Sequence, residues 1–394
     1  MESDPRPLNL ENTEIAFAHK SDKQLKESYR LFKLINNSAL TKIGIALTQL
    51  SVKLHLPVKP IIKATIYKQF CGGETVDECK PLIEKIFSKG VSTMLDYGIE
   101  AKSNEKEFDE ALSHKLRTIE QVKHLKSVPI TTMKFTSFCP VDLLYKIQYK
   151  QPLSDHEKKV FENSRKRLDA LCDASAQAGL GLFIDGEESW IQNPIDELVD
   201  EVMEKYNRGR VVVYNTYQLY RTDRLEFLKR SFEKSKQQGF MLGAKLVRGA
   251  YVEQENERAG RLHYVSPIHR SKELTDRDYN SAIDFCLDHI EEIKICAGTH
   301  NAQSLQHIAG EMERRKLPPT HPHIFHGQLF GMSDNLTFNM AAAGFNSYKL
   351  IPYGRVRDVV PYLMRRAMEN TSISGQMSRE LLLLKKELLR RALK

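Results

Sequence analysis

Two β-rich runs, Arg210-Val-Val-Val-Tyr214 and Phe240-Met-Leu-Gly-Ala-Lys-Leu-Val247, flank a stretch with helical periodicity near 222–238. β-branched and aromatic residues favour strands, whereas the stretch between the two runs places its apolar residues on one face of a helix. A strand, a helix and a second strand in this order predict parallel strands joined by a right-handed crossover. The fold class follows from how often this unit recurs.

The same texture continues from Val128 almost to the end of the chain. Further strands are predicted near 130–136, 180–184, 293–297, 323–326 and 345–349, and further helices near 155–178, 194–205, 271–290, 301–315, 333–342 and 358–370. Seven or eight such units over roughly 250 residues favour a distorted (βα)8 TIM-type barrel over an open sheet. An open dinucleotide-binding sheet is disfavoured because Gly179-Leu-Gly181 lacks the third glycine of the usual fingerprint and precedes a strand.

The barrel is expected to be flanked by helical segments. The pattern is helical throughout from about Lys23 to Lys126, with predicted helices near 23–36, 39–55, 58–69, 75–89 and 104–125. We therefore predict an α-helical N-terminal region (1–126), a catalytic α/β barrel (127–376) and a basic amphipathic C-terminal helix (377–394). The terminal helix either packs on the body of the protein, the favoured interpretation, or contacts a membrane surface.

Composition sets broad limits on function. The chain has 394 residues, of which 41% are hydrophobic and 28% charged, and its net charge is +8. The basic residues are dispersed and lack interleaved stacking aromatics, which disfavours a nucleic-acid-binding protein. The six cysteines form no CxxC pair and are expected to be reduced thiols of an intracellular protein.

The N-terminal run Met-Glu-Ser-Asp-Pro is acidic and has no apolar core, so we expect neither a secretory signal nor a transit peptide. No apolar run approaches the roughly 18–20 residues that span a bilayer. The expectation is a cytoplasmic protein with at most a peripheral contact to the inner membrane, or a mitochondrial one if the source is eukaryotic.

Polar residues recur where the predicted strands end, and catalytic groups of barrels lie there. Lys134 lies inside the first predicted strand, in Met133-Lys-Phe-Thr-Ser137, and either points inward, with its cation directed at an anionic ligand, or is exposed on one face of the strand. Asp185 opens the run Asp185-Gly-Glu-Glu188, whose carboxylates suit either a site or a helix N-cap. Both alternatives stay open for each residue.

Three further runs suit a flavin or a phosphate. Asn215 and Gln218, in Tyr214-Asn-Thr-Tyr-Gln218, offer amide donors and acceptors for an aromatic heterocycle. Gly249 lets the backbone approach a ligand closely, with Arg248 suited to phosphate and Tyr251 suited to the wall of a pocket. The run Thr299-His300-Asn301 precedes a helix, whose N-terminal amides are suited to phosphate.

A metal site is not expected. His300 has no further ligands at metal spacing, and the run His321-Pro-His323-x-x-His326 is better explained by outward-facing or capping histidines. Neither a nucleophile–His–Asp set nor a pair of hydrolytic carboxylates stands out. The residues favour an organic cofactor that supplies the difficult chemistry.

The predicted helix near 358–370 has two contrasting faces. Val359, Val360, Leu363, Met364 and Ala367 fall on one face, and Tyr362, Arg365, Arg366 and Glu369 gather on the other. Two adjacent guanidinium groups can hold a carboxylate or a phosphate. Taken alone, such a face is more often an ordinary solvated surface.

Four motifs together resemble the proline dehydrogenase (proline oxidase) family, in the monofunctional branch found in animals, fungi and some bacteria. They are Lys245-Leu-Val-Arg-Gly-Ala-Tyr251, Thr299-His-Asn301, Gly327-Gln-Leu-x-Gly-Met332 and Tyr362-Leu-x-Arg-Arg-x-x-Glu-Asn370, in the family's order. The resemblance implies a distorted (βα)8 barrel that binds FAD and oxidises L-proline to 1-pyrroline-5-carboxylate by hydride transfer to the flavin. It also implies that the electrons pass to a membrane quinone.

The resemblance also implies residue roles. Lys134, Arg365 and Arg366 would hold the proline carboxylate, and Tyr251, Leu329 and Tyr362 would wall its ring. Glu100 and Asp185 would brace the arginines and the pocket. The flavin contacts would be made by Asn215, Gln218, Lys245, Arg248, Gly249, His300 with its motif neighbours Thr299 and Asn301, and Glu369.

Two positions depart from the family pattern. Leu350 stands where proline-specific members usually carry tyrosine and hydroxyproline-preferring members carry a small residue. Hydroxyproline is therefore the alternative substrate, and a non-catalytic basic binding protein is a remote alternative function. Lys245 replaces an arginine of the bacterial bifunctional members, which keeps one donor near the flavin and loses the fork.

Overall fold

Eight parallel strands close a barrel in chain order in the computed structural model of the protein, so the predicted TIM-type barrel is confirmed. The structure describes residues 8–37, 44, 59–98, 103–372 and 376–393, with the side chains of 368–378 outside that description. The strands are β1 (Val91–Tyr97), β2 (Ile130–Met133), β3 (Gly181–Ile184), β4 (Val213–Gln218), β5 (Leu242–Val247), β6 (Ile293–Gly298), β7 (Ile324–Leu329) and β8 (Ser347–Tyr353).

Strand β1 lies in the stretch that was predicted to be helical throughout, and that prediction is wrong there. β1 pairs with β8 in parallel, from Val91 opposite Ser347 to Tyr97 opposite Tyr353. Its strand state depends on a partner near the other end of the chain, which local periodicity does not reveal. Because β1 comes before it in the chain, the strand next to Lys134 is the second of the barrel, β2. This strand ends at Met133, so Lys134 follows it rather than lying inside it.

The helices are α1 (Thr13–Phe17), α2 (Asp22–Ile35), α3 (Lys59–Ile62), α4 (Lys68–Phe70), α5 (Val76–Phe87), α6 (Glu105–Val122), α7 (Val141–Gln148), α8 (Asp155–Ala178), α9 (Ser189–Tyr206), α10 (Arg224–Gln238), α11 (Val252–Leu262), α12 (Lys272–Asp288), α13 (Ala302–Arg314), α14 (Asp334–Ala342), α15 (Val356–Ser372) and α16 (Gln376–Ala392), with a π-helical turn at Lys63–Tyr67 and a 3-10 turn at Phe135–Ser137. Most of the helix predicted near 39–55 lies outside the described residues. Helix α11 was not predicted because it buries little beyond Glu255 and Ala259 and so lacks an apolar stripe.

Strand β4 begins three residues later than predicted and includes the amide-rich run. The side chain of Asn207 accepts hydrogen bonds from the amides of Val212 and Val213 at 2.9 and 2.8 Å, in place of a neighbouring strand. The polar run from Asn215 to Gln218 pairs instead with β5, Asn215 lying opposite Ala244. Polar residues occupy the interior of this strand because barrel pairing outweighs their weak strand preference.

Contacts divide the chain into two compact units, a first unit of residues 1–99 with 328–394 and a second unit of residues 100–327. In the second unit, the rings of Phe183 and Tyr214 pack edge to face at 4.9 Å, and both contact Phe325 at 6.1 Å. On the opposite face of β4, the ring of Tyr217 packs 5.7 Å from Phe227 of α10. Alternate residues of β4 therefore face the packed aromatic rings and the helices.

The first unit has its own apolar core, built largely from helices α2, α15 and α16. The predicted apolar face of α15 is buried in it through Val359, Val360 and Leu363, and Val356 of the same helix joins them. Helix α16 contributes Leu383 and Leu384 to the same cluster, so the terminal helix packs on the protein body as the favoured interpretation predicted. Among the described helices, none combines the length and apolar character that a membrane crossing requires.

A buried charge network also lies in the first unit and comprises His19, Lys20, Asp334, Lys349 and Glu380. Lys349 of β8 is 1% exposed and lies 3.0 Å from Asp334, which Lys20 also contacts at 3.0 Å. Burial lowers the pKa of Lys349, whereas the two lysines outweigh burial at Asp334 and hold its pKa well below the usual value. The carboxylate of Glu380, in α16, accepts the Ser333 amide at 2.5 Å, and burial raises its pKa to about 7.

Candidate active site

Lys134 follows β2, and its ammonium lies 3.4 Å from the phenol oxygen of Tyr251, the residue that precedes α11. The ammonium also lies 5.9 Å from the centre of the Tyr251 ring, within range of a cation–π contact. Burial raises the pKa of Tyr251 to about 12, although Lys134 acts in the opposite direction. The Lys134 side chain is half-buried and directed toward Tyr251 rather than exposed to solvent.

Asp185 follows β3 and forms an ion pair of 2.5 Å with Lys245 of β5. It does not cap a helix, because α9 begins at Ser189 with Glu188 as its N-cap residue. The Lys245 ammonium lies 5.1 Å over the ring of Phe183, so its position is fixed on two sides. A short pair at this partly buried end of the barrel supplies one oriented cation and its counter-charge.

Arg248 follows β5 and is held by four groups. Its guanidinium donates to Asp276 at 2.7 Å, to Thr299 at 2.7 Å and to Ser304 at 2.9 Å, and it lies 4.3 Å over the ring of Tyr279. Although burial raises the pKa of Asp276, the hydrogen bonds from Lys272 and Arg248 outweigh it and lower that pKa. The cation is thus partly buried and oriented by contacts within the protein.

Gly249 has a φ of +131°, a conformation that side-chain-bearing residues rarely adopt. A Cβ at this position would lie 2.4 Å from the ring of Tyr220. Sequence reasoning explained this glycine by the approach of a ligand, and the structure adds the packing of Tyr220 as a sufficient local reason.

The motif Thr299-His300-Asn301 forms the turn between β6 and α13. The Asn301 side chain accepts hydrogen bonds from the amides of Gln303 and Ser304 at 2.8 and 3.4 Å. These helix N-terminal amides, which were predicted to suit phosphate, are therefore already capped. Thr299 accepts hydrogen bonds from Arg248 and from the Asn301 amide, at 2.7 and 3.1 Å. The middle residue of the motif, His300, is partly buried.

The two amides of β4 have different surroundings. The Gln218 side chain donates to the carbonyl of Glu187 at 2.7 Å, which places it beside the β3 strand end. The Asn215 side chain donates to Asp196 of α9 at 3.1 Å and accepts the Thr216 amide at 2.8 Å. Asn215 shares the helix-facing side of β4 with Tyr217, so its amide is committed to the helical layer.

Glu187 is a member of this site that sequence reasoning did not single out. It is 3% exposed, and its carboxylate accepts the amide and the hydroxyl of Thr136 at 2.9 and 2.8 Å. Burial raises its pKa to about 7, against the effect of the nearby Lys134. Its sequence signal, a second acid two residues beyond Asp185, was indistinguishable from an N-cap.

Apart from Glu100, the remaining predicted site residues belong to the first unit. Tyr362, Arg365 and Arg366 lie on α15 and are partly buried, with the Arg366 guanidinium 5.5 Å from the ring of Tyr362. Leu329 ends β7 and packs against the apolar core, and Leu350 of β8 is 8% exposed. Glu100 and the side chain of Glu369 lie outside the described residues.

A closed eight-stranded parallel barrel with cations, amides and carboxylates at its strand ends is an arrangement typical of barrel enzymes. The family model described as proline dehydrogenase matches residues 79–379. The chain therefore belongs to the proline dehydrogenase family and is an oxidoreductase.

Individual relatives agree with this family. The chain is 31% identical to proline dehydrogenase 1, mitochondrial, of Dictyostelium discoideum, over 98% of this chain and 75% of that protein. It is 27% identical to hydroxyproline dehydrogenase of Xenopus laevis, over 95% of this chain and 88% of that protein.

Among solved structures, the chain is similar to proline utilization A (PutA) from Bdellovibrio bacteriovorus inactivated by N-propargylglycine. The TM-score is 0.72 at 18% identity, and the match covers 93% of this chain and 39% of that chain. At this identity the likeness supports the fold.

Proposed function

We propose that this protein is an FAD-dependent dehydrogenase that oxidises L-proline to 1-pyrroline-5-carboxylate. The observation that carries the proposal is the set of oriented strand-end groups in the second unit: the Lys134–Tyr251 contact, the Asp185–Lys245 ion pair and the four-way support of Arg248. Protein contacts orient each of these groups, and enzymes use oriented charges of this kind at developing reaction centres.

The donor set is compatible with FAD. A flavin presents a polar ring edge, and its diphosphate is anionic, so it requires hydrogen-bond donors and cations together. Lys245 and Arg248 supply oriented cations, and His300 and Gln218 supply further donors at the same strand ends. Bound FAD supplies the hydride acceptor.

The amino acid itself indicates how it would be held. Proline must lose a hydride from its ring and a proton from its amine, whereas its carboxylate keeps its charge throughout and serves as the handle. We assign Arg365, Arg366 and Lys134 to that carboxylate. Tyr251, Leu329 and Tyr362 would wall the ring, exclude water and keep the reacting carbon directed at the cofactor.

The reduced cofactor must be reoxidised, and we propose a membrane quinone as the acceptor. This proposal follows from the family rather than from a particular contact. It requires a peripheral approach to a bilayer, which is compatible with the absence of a spanning helix among the described residues. Proline-dependent reduction of a soluble quinone analogue, followed by stimulation with quinone-containing vesicles, would test it.

The leucine at position 350 makes hydroxyproline the second substrate to test. Its side chain is nearly buried in β8, and its carbonyl accepts the Phe330 amide at 2.8 Å, so its position is fixed by the strand. Hydroxyproline carries one more hydroxyl than proline, and discrimination between them depends on whether a partner awaits that group. The ratio of kcat/KM for L-proline and trans-4-hydroxy-L-proline, measured before and after Leu350→Tyr, decides the preference.

The primary experiment is the visible spectrum of the purified protein. A yellow protein whose flavin bands bleach on anaerobic addition of L-proline, but not of D-proline, is the expected result. A protein that neither carries FAD nor takes it up on reconstitution would overturn the proposed function.

A further inference from the structure

Glu187 places a buried carboxylate beside the proposed carboxylate-binding lysine, and no step of the proposed reaction uses it. Every polar group of this residue has a partner. The carboxylate accepts two hydrogen bonds from Thr136, at 2.9 and 2.8 Å. The backbone amide donates to Gln192 at 2.6 Å, and the backbone carbonyl accepts from Gln218 at 2.7 Å. A residue held at all four points is rigid.

The Thr136 contact connects Glu187 to Lys134 through a very short piece of chain. Thr136 is the middle residue of the 3-10 turn Phe135–Ser137, for which Lys134 is the N-cap residue. Ser137 closes the same turn by donating its hydroxyl to the Lys134 carbonyl at 2.6 Å. The backbone from which the Lys134 side chain extends is therefore fastened on one side by Ser137 and on the other by Glu187.

The charged groups around Glu187 also constrain the position of the Lys134 ammonium. The titratable groups that face Glu187 are Lys134, the neighbouring Glu188, Tyr251 and the thiol of Cys139. Lys134 is the cation among these groups. Burial raises the pKa of the Glu187 carboxyl, and Lys134 opposes this increase. Tyr251 faces both Glu187 and Glu188 and also accepts from Lys134, so the three groups restrict where the ammonium can lie.

We propose that Glu187 is a positioning residue: by accepting both hydrogen bonds from Thr136 it fastens the Phe135–Ser137 turn, and so places the Lys134 ammonium where it can receive the substrate carboxylate. This inference rests on the proposed function, because it presumes that Lys134 binds that carboxylate. A lysine side chain has many rotamers, and a fixed backbone reduces the freedom that is lost on binding.

The proposal predicts a particular kinetic signature. The substrate carboxylate is charged both before and during hydride transfer, so its contact with Lys134 stabilises the two states equally and affects KM more than kcat. A role confined to general folding would instead lower the amount of active enzyme and leave KM unchanged.

The proposal also predicts a pH signature. The pKa of Glu187 is raised to about 7, so its negative charge is present above that pH and lost below it. An anion arriving at Lys134 competes with an ionised Glu187. Binding of tetrahydrofuran-2-carboxylate, which has no amine to titrate, should therefore weaken as the pH rises through 7 in the wild type. Glu187→Gln should remove this step.

The test compares Glu187→Ala, Glu187→Gln and Thr136→Val with the wild type, with Glu197→Gln, at an exposed position of α9, as the matched control. We expect Glu187→Ala and Thr136→Val to raise KM for L-proline about tenfold, with kcat changed by no more than about threefold and the bound flavin retained. Glu187→Gln retains the shape and an acceptor for Thr136, so it should restore KM to near the wild-type value. Glu197→Gln should leave both constants unchanged.

The outcomes separate this inference from the proposed function. A wild type that ignores L-proline overturns the function itself. A wild type that oxidises proline, together with an unchanged KM in Glu187→Ala and Thr136→Val, overturns the positioning role alone. If Glu187→Ala does not fold, the positioning role is tested by the KM of Thr136→Val and by the pH dependence of analogue binding in Glu187→Gln. A pH step in Glu187→Gln that is identical to that of the wild type contradicts the proposal.

Discussion

The ammonium of Lys245 lies 2.5 Å from the carboxylate of Asp185, and this pair joins the end of β3 to β5. Both side chains are largely shielded, with 11% and 18% of their surfaces exposed, so neither charge is fully compensated by water. Their mutual orientation therefore depends on the ion pair itself.

Asp185→Asn should free Lys245 from its counter-charge and lower kcat/KM for proline by about tenfold or more, since the cation would no longer be held toward the cofactor. Lys245→Met should cause a loss of similar size, and the double variant should lose less than the sum of the two. A coupling of about 1–3 kcal/mol in this cycle would be typical of residues in direct contact. Additive losses would show that the two residues act independently.

Arg366→Met should raise KM for proline by the equivalent of about 2–5 kcal/mol, because a charged hydrogen-bonded partner of the carboxylate is removed. Flavin content, measured from the visible spectrum, should stay near that of the wild type. Arg366→Lys is the matched variant. Its KM for proline should lie between those of the wild type and Arg366→Met, since lysine keeps the charge and loses the forked pair of donors. An unchanged KM in Arg366→Met would exclude this arginine from the substrate site.

Gly249→Ala should destabilise the protein by about 2–4 kcal/mol, because the new methyl group would meet Tyr220 at a backbone angle that alanine avoids. Gly260→Ala is the control, since nothing lies within 4 Å of its added Cβ and it stands inside helix α11. That variant should gain up to about 1 kcal/mol. Unfolding midpoints in urea for the two variants measure the contrast, and equal midpoints would contradict the steric argument.

Glu380→Gln tests the buried charge network. A carboxyl whose folded pKa is raised to about 7 binds its proton more tightly in the folded state than in the unfolded state, where the pKa is near 4.5. The wild type should therefore lose stability relative to the glutamine variant as pH rises from 4.5 to 7, by roughly 2–3 kcal/mol in total. Above pH 7 the difference should stay constant.

The measurement is the denaturation midpoint of both proteins at pH 5, 6, 7 and 8, which cancels every titration that they share. Glu313→Gln, at an exposed position of α13, serves as the control and should show no such trend. If the difference in stability between the wild type and Glu380→Gln does not change with pH, Glu380 binds its proton equally tightly in the folded and unfolded states, and the prediction is wrong.

Much of the fold was accessible from local patterns, because helices such as Asp155–Ala178 and strands such as Leu242–Val247 carry their periodicity within a few residues. β1 was not accessible, because its seven residues become a strand only by pairing with β8. The boundary of β4 was displaced for a similar reason, since Asn207 caps its start from outside the strand.

The site shows the same division. The positions of Lys134, Asp185, Lys245 and Arg248 at strand ends follow from the barrel, but their partners do not. No local pattern predicts that Lys245 would pair with Asp185, or that Arg248 would be supported by Asp276 and Ser304. Glu187 was missed because burial, which distinguishes it from an N-cap, is a property of the assembled structure.

The pairing of β1 with β8 has a consequence for how the chain reaches its folded state. During synthesis β1 emerges early, but its partner at Ser347–Tyr353 is among the last strands to leave the ribosome. Until then, the backbone donors and acceptors of β1 on that side have no strand to bind, and an open strand edge favours association with other chains. The last step of barrel formation therefore depends on near-complete synthesis, and shielding of this nascent edge would determine how much of the protein is recovered in active form.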